Sequence, residues 1–120
     1  MATRANVRLA TPWVGHIEIH RWTGLTNGDD GAPLNLPNFG DKSIHVEGTF
    51  GSGGTLIIEG SNYKETESPP FRPLVDPHQN AISITEVGIE QVFGCTYLIR
   101  PRVTAGDGTT DLTVTIMGRK

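Results

Sequence analysis

Residues Ser43 to Ser61, SIHVEGTFGSGGTLIIEGS, constrain this chain more than any other stretch. Two β-rich runs flank Gly51, Gly53 and Gly54, a pattern that predicts a β-hairpin. Along the first run Ile44, Val46, Gly48 and Phe50 share one face, with His45, Glu47 and Thr49 on the other. Along the second, Leu56 and Ile58 pair on one face, with Ile57 and Glu59 opposite. One face is therefore apolar and requires a second layer to cover it, which the rest of the chain must supply.

At 120 residues the chain is long enough for one modest core and too short for two. Its hydrophobic content is 36%, with 15 Gly and 8 Pro, which favours short strands joined by loops over packed helices. So small a core predicts help from oligomerisation or docking. The net charge of −3 supplies no field that would draw the chain to nucleic acid or membrane. No apolar run approaches the roughly 20 residues of a membrane-spanning helix. The N-terminal stretch MATRANVRLATP lacks the apolar centre of a secretory signal. The single cysteine, Cys95, excludes an internal disulfide and sits in an apolar run, where a small packed side chain is expected.

In chain order, residues 1–11 carry Arg4 and Arg8 without a sustained period and read as a flexible N-terminal arm, frayed or docked on a partner. Residues 12–120 read as a single β-sandwich domain. In residues 13–22, Ile17, Ile19 and Arg21 alternate with His16, Glu18, His20 and Trp22, as in a half-buried strand. Thr23 to Asp41 is dense in turn residues and reads as a long surface loop, the kind that is functional or interface-bound. The prolines between Asn62 and Pro77 confine any strand near Phe71 or Leu74 to a sheet edge. Ile82 and Ile84 alternate with Ser83 and Thr85, while Val87–Phe93 fits either a helical turn or a strand. In CTYLIRPRV, residues 95–103, Tyr97 and Ile99 oppose Leu98, Arg100 and Arg102. Asp107-Gly108 then predicts a second hairpin into Leu112, Val114 and Ile116. The fold expected is all-β: an antiparallel, jelly-roll-like β-sandwich of about seven to eight short strands with long loops.

Few constellations could carry chemistry. On a strand, His16, Glu18 and His20 point the same way at steps of about 6.8 Å. Two neighbours could share a metal at about 2 Å, but three in a row strain that geometry, so a polar surface stripe is the simpler reading. The glycine cluster at residues 51–54 lacks the Lys-Ser/Thr ending of a phosphate loop. Asn27–Gly31 lacks the spacing of a calcium loop. Ser, His and Asp occur without a recognisable catalytic grouping. No cofactor, metal or catalytic site is therefore predicted, and the chain is expected not to be an enzyme. Arg100-Pro101-Arg102 sets two guanidiniums on one face, able to clamp carboxylates across an interface. The candidate interface residues are Arg4 and Arg8 on the arm, Asp29, Asp30, Asn38 and Phe39 on the long loop, and Arg100 and Arg102.

Three stretches, Ser43–Asn62, Ile99–Asp111 and the terminal LTVTIMGRK, together resemble the small β-sandwich virion proteins of tailed bacteriophages, in particular capsid decoration or cement proteins. The resemblance implies a virion protein on the outer capsid, made in the host cytoplasm, that bridges major capsid subunits and stabilises the shell. The partners implied are the major capsid protein and further copies of the chain, as a dimer or trimer, with no nucleic acid and no membrane. A second reading is a tail or fibre component or a carbohydrate-binding sandwich, with Trp13, Trp22 and Tyr63 stacking on sugars. A third is a small hydrolase built around His16, Glu18 or His20.

Overall fold

A computed structural model describes residues 2–13, 15–36 and 38–120. Met1, Val14 and Pro37, which fall in the expected arm, first strand and long loop, lie outside the described residues. The chain is all-β, with two sheets packed face to face. One sheet, here the B sheet, has five strands in the order β10–β6–β12–β3–β2. These are β2 (Asn6–Leu9), β3 (Ile17–Leu25), β6 (Asp41–Thr49), β10 (Gly88–Val92) and β12 (Asp111–Arg119). The other, the A sheet, is centred on β7 (Thr55–Ser61) and β11 (Leu98–Ala105). Its margins are broken into two-residue pieces: β1 (Thr3–Arg4), β4 (Asp30–Gly31), β5 (Leu34–Asn35), β8 (Arg72–Pro73) and β9 (Ser83–Ile84). These fragments raise the number of strands above that expected. Proline explains part of the fragmentation, because it cannot donate to a ladder, and β8 accordingly lies at a sheet edge.

Both expected hairpins are instead sheet-to-sheet crossings. β6 lies in the B sheet and pairs with β10 and β12, whereas β7 lies in the A sheet and pairs with β11. Likewise β11 and β12 belong to opposite sheets. The physical reason is burial. Ile44 and Val46 face Leu56 and Ile58 across the core, and Val103 does the same toward Leu112, Val114 and Ile116, so each turn folds two apolar faces onto one another. Burying each such side chain contributes about 1.5–3 kcal/mol. Gly54 is obligatory at the first crossing, because a Cβ there would collide with the Phe50 carbonyl oxygen.

Three other expectations change. Residues 23–41 are not a surface loop: Leu25, Leu34, Leu36 and Phe39 join the core, and Trp22 donates its indole N–H to the Ala32 carbonyl at 3.1 Å. Residues 3–9 form strands on both sheets, β1 parallel to β4 and β2 antiparallel to β3. Cys95 is exposed, beyond the end of β10 where Gly94 takes a positive φ. Val87–Phe93 resolves as strand, apart from its two ends.

Candidate functional site

Alternation along β7 and β11 puts Leu56, Ile58, Ile99 and Val103 inside and sends Glu59, Arg100 and Arg102 to the outer face of the A sheet. Register sets Arg100 opposite Glu59, and Arg102 opposite Asp30 of β4. Arg100 is the hub. Its Nε lies 3.1 Å from Glu59 Oε1 and its Nη1 3.4 Å from Asp30 Oδ2, while its guanidinium carbon sits 3.8 Å above the Phe71 ring. Thr3 donates its hydroxyl to Asp30 Oδ1 at 2.7 Å. Glu59 and Asp30 are both buried, so each charge is held by its partners rather than by water. Arg102 is less committed: its Nη1 stands 3.7 Å from Glu59 Oε2, and its side chain is 45% exposed. Glu59, Arg100 and Arg102 border an open cleft of about 650 Å³ lined also by Pro33, Glu65, Pro69 and Phe71.

Beside this network Asp29 is buried and saturated. Burial alone would raise its carboxyl. Hydrogen bonds from the Thr26 amide and hydroxyl, the Ala2 amide and Arg4 Nε outweigh that effect and hold it well below the usual carboxylate range. The structure thus brings Asp30, Arg100 and Arg102 into one network and places the Arg4–Asp29 pair next to it in sequence. The remaining candidates lie elsewhere. Arg8 stands 3.6 Å from Glu18 on the B sheet, Asn38 is exposed, and Phe39 is buried against Gly118.

Sequence reasoning assigned Glu59 no role. The signal was present, since Glu59 alternates with Ile58 on a strand near an Arg-x-Arg pair, but only long-range register identifies it as Arg100's partner. The other surface missed is the outer face of the B sheet. There Leu9, Ile19 and Met117 stand in one row, and a groove of about 300 Å³ runs among Ala10, Trp13, Ile17, Ile19 and Met117.

The remaining motifs are accounted for locally. His20 is buried, with Nε2 2.9 Å from Glu18 Oε1 and Nδ1 3.2 Å from Asn6 Oδ1, while His16 sits in the exposed turn before β3. Among the described residues, no three His, Cys, Asp or Glu side chains are grouped to hold a metal. Trp22 is a core residue, so it cannot share a sugar platform with the exposed Trp13 and Tyr63. Lys42, on the inner face of β6, is buried and its Nζ has no hydrogen-bond partner. Burial lowers its pKa, against the opposing pull of Cys95 and Asp41. Among the described residues no helix is long and apolar enough to cross a membrane.

Two packed sheets, antiparallel apart from the β1–β4 pair, whose chain crosses between them define a double-sheet, jelly-roll class, an architecture shared by viral capsid domains, lectins and cupins. The chain is similar over 92% of its length to the whole of the SPBc2 prophage-derived protein YomS, with a TM-score of 0.63 and 12% identity. It is also similar over its full length to 98% of a cupin domain from Bordetella pertussis Tohama I, with a TM-score of 0.50 and 11% identity. No family model and no curated protein sequence matches the chain. The cupin likeness corrects the expectation that the chain is not an enzyme. This fold hosts many unrelated functions, cupins among them, so neither the architecture nor a missing sequence motif excludes catalysis.

Proposed function

We propose that the chain is a structural virion protein of a tailed bacteriophage that decorates the outer capsid and cements neighbouring major capsid subunits as a homo-oligomer. The observation that carries this reading is the likeness, over nearly the whole of both chains, to a prophage-derived protein. Two surface features support it. The cleft on the A sheet offers Arg102 donors beside Phe71 and proline walls, the mixture of charge and rigid apolar area that suits a protein partner. Among the described residues, five of the six large exposed apolar side chains (Val7, Trp13, Val87, Ile89 and Phe93) belong to or border the two margins of the B sheet, and exposed apolar surface suits interaction sites. Modest affinity per copy suffices when each copy touches several subunits.

Immunogold labelling of particles with antibody to the purified protein tests the location. Gold distributed over the heads supports the reading. Gold confined to tails would move the protein to a tail or fibre role, and unlabelled particles would remove it from the virion.

A further inference from the structure

The outer face of the B sheet has two unlike margins. At one, the groove among Trp13, Ile17, Ile19 and Met117 is flanked by arginines: Arg21 two residues along β3 from Ile19, and Arg119 two along β12 from Met117. Arg21 spends its Nε on the neutral Thr115 hydroxyl and has no carboxylate partner among the described residues. Arg119 pairs with Asp41 at 2.7 Å but remains 63% exposed, with donors to spare. The other margin is β10, an edge strand paired only through β6. Val87, just before the strand, and Ile89, 67% exposed, stand on this margin beside Glu86, whereas Glu90 lies opposite buried Ile44 and turns to the other face from Ile89. Neither acid has an ion-pair partner among the described residues. An edge strand carrying exposed apolar side chains invites association.

We propose that copies of this chain associate head to tail. The β10 edge of one copy seats Val87 and Ile89 in the Trp13–Ile19–Met117 groove of the next, and Glu86 meets Arg21. The two surfaces match in both respects: each is apolar at its centre, and the charges without an ion-pair partner beside them, Arg21 at the groove and Glu86 at the edge, are opposite in sign. Because the two surfaces differ, the contact is heterologous, and it closes into a ring if the rotation between copies allows. It uses the B sheet alone and needs no shell, so its failure leaves the shell-binding reading untouched.

Sedimentation velocity across a concentration series tests the contact with three proteins. The wild type self-associates, less strongly at high salt. R21E, which spoils the groove, and V87S/I89S, which spoils the edge, each weaken that association by at least about tenfold. Mixed together, the two variants form a 1:1 complex, because the intact edge of R21E fits the intact groove of V87S/I89S. Thermal melting confirms that each is folded, and R21Q replaces R21E should the latter unfold. A wild type that stays monomeric at all concentrations overturns the proposal. So does a mixture that remains monomeric, or a pair of folded variants that associate as the wild type does.

Discussion

Asp107 and Ser52 are joined across the two turns that link the sheets: the Ser52 amide donates to Asp107 Oδ2 at 2.8 Å. Asp107 also accepts from the Thr109 amide and hydroxyl, and Thr110 returns its hydroxyl to the Phe50 carbonyl. The β6–β7 and β11–β12 crossings are therefore latched to each other rather than each closing its own hairpin.

Asp107 sets a pH signature. The Thr109 hydroxyl, followed by the Ser52 and Thr109 amides, draws its pKa from an ordinary 3.8 to about 2. A carboxyl depressed in the fold stabilises above its unfolded pKa, and the benefit disappears as pH falls through the folded value. Calorimetry of wild type and D107N should show a melting-temperature gap that is constant above about pH 5 and closes toward pH 2. A gap independent of pH would remove the latch from the account.

Arg100 holds two buried carboxylates. R100M should cost about 3–5 kcal/mol in chemical denaturation, since Glu59 and Asp30 lose their principal counter-charge. A loss below about 1 kcal/mol, the range of surface ion pairs, would mean that the network is solvated.

Ile58 is fully buried between the sheets, and Ile58→Ala should cost about 2–5 kcal/mol. Ile89→Ala, on the open edge, should change monomer stability by less than about 0.5 kcal/mol. Equal effects in urea denaturation would show that the core is misassigned.

Gly48 has φ +118°, and a Cβ there would collide with the Asp111 carbonyl oxygen. Gly48→Ala should therefore destabilise by at least about 1–3 kcal/mol. Gly88→Ala meets nothing within 4 Å and should leave the melting temperature nearly unchanged.

Lys42 buries an amine with no hydrogen-bond partner. Lys42→Met keeps the aliphatic stem and removes that penalty, so it should raise stability by on the order of 1 kcal/mol at neutral pH. A substantial loss would show that the amine has a stabilising partner.

The sequence made the inward faces of β6, β7 and β12 legible, because Ile44 and Val46, Leu56 and Ile58, and Leu112, Val114 and Ile116 alternate with period two. It also limited the Pro73 strand to an edge. Pairing was not legible. Asp107-Gly108 and the Gly51–Gly54 cluster suit a hairpin or a crossing equally, and only the partner of each apolar face decides between them. In β3 the pattern misleads about direction: Ile17 and Ile19 look outward, while His20 and Trp22 look inward, so a groove lies where a core face is expected. Turn-rich composition likewise hid Leu34, Leu36 and Phe39, whose burial depends on distant strands. At the candidate site Arg100 and Arg102 were readable as a pair. Their partners, Glu59 and Asp30, come from residues dozens of positions away and emerge only from register.

The most direct test of the proposed role is co-sedimentation of purified protein with phage shells stripped of decoration, followed by calorimetry of the shells. Saturable binding at a fixed number of copies per shell, with a higher shell melting temperature, is the result predicted. Protein that stays in the supernatant at every concentration, with the shell transition unmoved, would contradict it.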